Sequence, residues 1–116
     1  MMETPIDREL KRGTLEMIIL KLLSEGKMYG YQLVSTLERR SGNQFQVKEG
    51  TLYPVLYRLE DAGFIEARWE TQERGVPRKY YHLTEQGTQQ LQTLLDEWQA
   101  FTMAVNRLLD TQEESK

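Results

Sequence analysis

Arg74, Arg78 and Lys79 put three positive charges within six residues of a Gly-Pro turn, with no acid among them. A turn uses glycine and proline to shape its backbone, not cations, so these charges either solubilise the hairpin tip or face a partner outside the fold. Ammonium and guanidinium groups on a short loop can neutralise phosphates, in contacts that release counterions and weaken steeply with salt. A second set of polar side chains lies along "EGTLYPVLYRLEDAG". At about 100° per residue, Leu52, Leu56 and Leu59 share one face, while Pro54, Tyr57, Arg58 and Asp61 point away and Tyr53 lies toward the edge. Arg58 on such a face can read a guanine edge bidentately, pair with Glu60 or Asp61, or grip a phosphate. One of Tyr53 and Tyr57 is expected to pack against a neighbouring element.

Other chemistries find little to work with. The chain has no cysteine and a single histidine, His82, which leaves a three-ligand zinc site little to work with. Glu60–Asp61 and Glu113–Glu114 are adjacent pairs that do not share a helix face, and "GNQFQVKEG" lacks the spacing of a phosphate loop. No nucleophile stands beside a matching base. These absences predict a protein that is not an enzyme and needs no cofactor.

Charge is informative when taken by segment. Residues 1–84 hold 13 Lys+Arg against 12 Asp+Glu, whereas residues 85–116 hold 2 against 6, so the net charge of −3 belongs to the C-terminal part. A near-neutral body with local cations fits selective rather than indiscriminate nucleic-acid binding. No apolar run approaches a membrane span, and the acidic N-terminus lacks the layout of a secretory signal. A cytoplasmic protein is the expectation.

The elements that position these residues follow from periodicity. Leu15, Ile18, Ile19, Leu22 and Leu23 predict a helix over about 9–24, and Leu33 and Leu37 a second over 29–40. "QFQV" alternates and reads as a minor strand. The third helix takes Thr51 as its N-cap, carries Pro54 in its first turn and stops at Gly63. "FIEARWET" and "RKYYHLT" read as the strands of a hairpin, with Ile65, Ala67 and Trp69 on one face. Of Tyr80 and Tyr81, one packs inward. Thr84 then caps a last helix in which Leu91, Leu94, Trp98, Phe101, Val105 and Leu108 form a heptad-type seam, broadened by Leu95.

Three helices, a two-stranded wing and a long helix define a mostly α, α+β winged helix-turn-helix. Residues 1–84 would form the DNA-binding domain and residues 85–116 a dimerisation helix with a short tail. In this architecture the third helix enters a major groove and the hairpin tip reaches the backbone. The long apolar seam exceeds what the winged domain can cover, which predicts a homodimer.

The segments "YGYQLVSTLE", "KEGTLYPVLYRLEDAGFI" and "RGVPRKYYHLTEQG" together resemble PadR-type bacterial transcriptional regulators over nearly the whole chain. A "GTLYP" helix start followed at this distance by "RKYY.LT..G" is specific, and the single C-terminal helix resembles the short subfamily. The resemblance implies a homodimeric repressor of a double-stranded operator, relieved in some members by a small aromatic effector between the subunits. It assigns DNA-facing positions to Thr51, Tyr53, Tyr57 and Arg58, a phosphate contact to Tyr31, and the wing to Arg74, Gly75, Arg78 and Lys79. Trp98 matches a tryptophan that lines a central pore in multidrug-sensing relatives. Those relatives carry an acid one turn further on, where this chain has Thr102, leaving a neutral or anionic aromatic open. The competing expectation is a winged-helix module that uses its outward aromatics on a protein partner.

Overall fold

The computed structural model describes residues 13–110; the expected helix start at Glu9 and the pair Glu113–Glu114 lie outside the described residues. Helix α1 spans Leu15–Ser24 and buries Leu15, Ile19, Leu20, Leu22 and Leu23, so apolar side chains leave it in more than one direction. The chain then forms β1 (Met28–Tyr29), α2 (Gly30–Arg40), α3 (Glu49–Asp61), β2 (Ile65–Glu70), β3 (Arg78–Leu83) and α4 (Glu85–Leu109). Leu33, Leu37, Leu52, Leu56, Leu59, Ile65 and Tyr81 close one core with α1. Three helices against a small sheet make a winged helix, with α4 as a long arm.

The sheet is antiparallel in the order β1-β3-β2. Its minor strand is Met28–Tyr29, paired with Tyr81 and Tyr80, and not "QFQV" as alternation predicted. Residues 44–48 carry no strand. β3 already pairs with β2 on one side and β1 on the other, and Val47 and the half-buried Phe45 are drawn into the core instead.

Helix α3 starts earlier than expected. Lys48 is the N-cap, and its carbonyl accepts from the N–H groups of Thr51 and Leu52 at 2.9 Å each, so Thr51 is not the cap. Pro54 is therefore the sixth helical residue, in the second turn. Its missing N–H deprives the Gly50 carbonyl of a partner. Both residues are exposed, so water can take that role. At the other end the Gly63 N–H bonds to the Glu60 carbonyl and the Phe64 N–H to the Leu59 carbonyl, both at 3.0 Å. That pair of bonds is a Schellman ending.

The same corner holds the start of α4. Thr84 Oγ1 donates to the Gly63 carbonyl at 2.7 Å and accepts from the Gly87 N–H at 3.0 Å, while the Thr84 N–H bonds to the Phe64 carbonyl at 3.1 Å. A Cβ on Gly87 would collide with the Phe64 carbonyl oxygen and press on Leu83. Helix α4 is thus fastened to the end of α3 before it runs along α1. Leu91 is buried and Leu94 and Leu95 pack on the chain's own core. Further out, Trp98, Phe101, Met103, Leu108 and Leu109 stand in solvent.

On β2, Ile65 is buried and Ala67 half-buried as the alternation predicts, but Trp69 on the same face is 69% exposed. Its ladder neighbour at that point is Lys79, not a residue of the core.

Candidate nucleic-acid interface

Two elements contribute outward side chains here, and Lys79 joins them. On α3, Pro54, Tyr57, Arg58 and Asp61 are exposed, as helical spacing requires. On the hairpin, Arg74, Gly75 and Arg78 are exposed and Lys79 is half-buried. Lys79 Nζ lies 6.0 Å from the Tyr57 ring centre and 5.7 Å from that of Tyr81, so this one wing charge faces the outward side of α3. Among the described residues, no carboxylate lies within ion-pair distance of Arg74, Arg78 or Lys79.

The two helix-three tyrosines part company. Tyr57 is 56% exposed. Tyr53 is half-buried against the start of α2, where a Cβ on Gly30 would collide with its hydroxyl. Arg58 is fixed by neither Glu60 nor Asp61. Its Nε donates to Glu16 on α1 at 3.4 Å, an exposed pair that steers the guanidinium toward the first helix. Thr51 is half-buried within the first turn of α3. Tyr31, at the start of α2, is 69% exposed.

Tyr81 is the inward tyrosine of the wing, 1% exposed. Burial is the main force pushing its phenol up to about 12, assisted by Tyr53, Glu60 and Tyr57 nearby. Tyr80 faces the other way and packs its edge on Tyr29, with ring centres 5.4 Å apart and planes at 84°. The guanidinium of Arg78 covers the Tyr29 ring at 4.6 Å, and its Nη1 donates to the Tyr29 hydroxyl at 3.1 Å. Lys27 sits over Tyr80 at 4.8 Å and donates to Glu70 Oε1. That bond, the largest influence on Glu70, holds its carboxyl below the usual range. His82 Nε2 is shielded from solvent 3.5 Å from Glu70 Oε2. Tyr29, Lys27 and Glu70 were not singled out from the sequence. The available signal was alternation: Arg78 and Tyr80 share a strand face, which calls for partners on the neighbouring strand.

A helix-turn-helix core with a cation-bearing hairpin beside its third helix defines the winged-helix regulators. Comparison with known proteins gives the same class and narrows it. The model of the family described as "Transcriptional regulator PadR-like family" matches residues 19–93, and the chain belongs to that family. An uncharacterized protein of Lysinibacillus sphaericus is 42% identical over 90 residues, covering 78% of this chain and 83% of that one. The Negative transcriptional regulator PadR of Bacillus subtilis is 36% identical over 77 residues, covering 66% of this chain but only 42% of its own length. A solved PadR family transcriptional regulator from Eggerthella lenta superposes with a TM-score of 0.77 at 36% identity, covering 91% of this chain and 90% of that one. The chain is thus a PadR-family transcriptional regulator, and no helix among the described residues is long and apolar enough to cross a membrane.

Proposed function

We propose that this regulator is a cytoplasmic homodimer that represses transcription by seating α3 in the major groove of an operator and the wing on the backbone. The observation that carries this reading is the wing set against α3: Lys79 lies 6.0 Å from the Tyr57 ring on the outward face of α3, and Arg74, Arg78 and Lys79 have no carboxylate partner among the described residues. Thr51, Tyr57 and Arg58 line the groove side. Tyr31 supplies a phosphate contact from α2, and Tyr53 supports the helix from behind. Residues 1–84 then act as the reading head and 85–116 as the dimerisation arm. Repression is supported by the likeness to the Bacillus subtilis negative regulator.

The dimer is supported by the apolar outer half of α4, where Trp98, Phe101, Val105 and Leu108 follow the heptad seam begun by Leu91, Leu94 and Leu95. Trp98 and Phe101 lie 6.0 Å apart and only 36° from parallel, a surface on which a flat aromatic effector can stack between subunits. Thr102 brings no charge and bonds to the Gln99 carbonyl at 3.1 Å, which suits a neutral or anionic effector. Such a ligand relieves repression only if it binds one separation of the two heads better than another.

A mobility shift with the promoter duplex upstream of the chain's own gene tests the reading. A retarded complex at low salt is expected. An intact dimer that leaves the duplex unshifted at low salt would point instead to a module that binds protein partners.

A further inference from the structure

The acid directly across the ladder from Arg78 is Glu70, yet the two do not pair. Cross-strand neighbours of opposite charge ordinarily attract each other. Here the Glu70 carboxylate is turned away, one oxygen bonded to Lys27, which lies just before β1 on the far side of β3, and the other 3.5 Å from His82 Nε2. The other acid on that face, Glu66, is taken by Arg68 at 3.1 Å. Arg78 is left facing Tyr29, which accepts one of its N–H donors and lies under its guanidinium, and Tyr29 is in turn braced by Tyr80.

From this we infer that Lys27 and Tyr29 are positioning residues for the wing cation: Lys27 withholds Glu70 from Arg78, and Tyr29 holds the guanidinium in place with its charge uncompensated. This rests on the proposed phosphate contact of Arg78 and explains how it is kept available. A long side chain at a hairpin tip loses rotamer freedom on binding, and holding it beforehand reduces that loss. A neighbouring carboxylate would have to be displaced before a phosphate could bind. Tyr29 covers one face of the guanidinium and accepts from one of its nitrogens, and an arginine carries five N–H donors, so donors remain for a phosphate.

The test measures affinity for a random-sequence duplex at several low salt concentrations, because phosphate contacts need no particular sequence. Circular dichroism first establishes that each variant is folded. Lys27→Met and Tyr29→Leu are each expected to weaken binding roughly threefold to tenfold. Tyr29→Phe, which keeps the ring, is expected to retain part of the effect. Lys27→Met combined with Glu70→Gln should recover wild-type affinity, because the freed side chain no longer carries charge. In an Arg78→Ala background neither Lys27→Met nor Tyr29→Leu should cost anything further.

If Arg78→Ala lowers the salt slope by about one but Lys27→Met and Tyr29→Leu bind like wild type, the positioning role is wrong while the phosphate contact stands. Losses that persist undiminished in the Arg78→Ala background also overturn it, since they would mean direct contact by Lys27 or Tyr29. An unchanged salt slope for Arg78→Ala removes the phosphate contact itself, and the inference with it.

Discussion

Tyr80 and Tyr81 are neighbours in the chain and occupy opposite sides of the wing sheet. Sequence alone leaves their order open, since both follow the same pair of cations and either register satisfies an alternating strand. Pairing of Tyr81 with Ala67 and of Ala67's face with the core decides it. Tyr81 is consequently a neutral phenol in the interior, raised from 10.0 to about 12. A raised folded-state value means that its contribution to stability is complete below the unfolded value and is lost as pH climbs through the folded one. The urea midpoint is therefore expected to fall between pH 10.0 and about 12, and to fall less in Tyr81→Phe. Equal slopes in the two proteins would remove the burial account. Arg58 shows the opposite limit of sequence reading. Its outward direction follows from helical spacing, but its partner Glu16 lies 42 residues away and is brought close only by α1 packing on α3. Because that pair is exposed, Glu16→Gln should change stability by less than about 1 kcal/mol, a difference that urea unfolding can bound.

Helices were the most legible elements, because a 3.6-residue apolar period survives whatever the neighbours do. The two-residue strand Met28–Tyr29 was not legible, since its pairing is granted by β3 and not by any pattern of its own. The start of α3 was misplaced for a related reason: Thr51 has the chemistry of a cap, but the backbone carbonyl of Lys48 already closes the first turn. Gly87, read only as part of a motif, gains a physical role from the close approach of the Phe64 carbonyl. Gly87→Ala must displace either the α4 N-terminus or the Gly63–Phe64 corner. Overpacking of this kind costs about 1–3 kcal/mol, which denaturant unfolding would detect. A midpoint equal to wild type would show that the junction is loose and that α4 is not rigidly coupled to α3.

On the scale of the whole molecule, the body is about 66 × 36 × 21 Å, and the long arm is apolar where nothing of its own chain covers it. Phe101 is 61% exposed and Leu108 85%, large side chains whose burial a second copy would supply. Phe101→Asp together with Leu108→Asp is expected to give a monomer by light scattering at micromolar concentration while the winged core keeps its helix content. A dimer that survives both changes would place the interface elsewhere. The net charge of −3 is no obstacle to DNA binding, because the acidic excess lies in residues 85–116, whereas Arg74, Arg78 and Lys79 of the wing have no carboxylate partner among the described residues. The most direct test of the account is a titration of a fluorescent promoter duplex with the wild-type protein over a range of salt. The account predicts tight binding at low salt, with the logarithm of affinity falling linearly and steeply as the logarithm of salt rises. No binding at low salt by an intact dimer, or binding indifferent to salt, would contradict it.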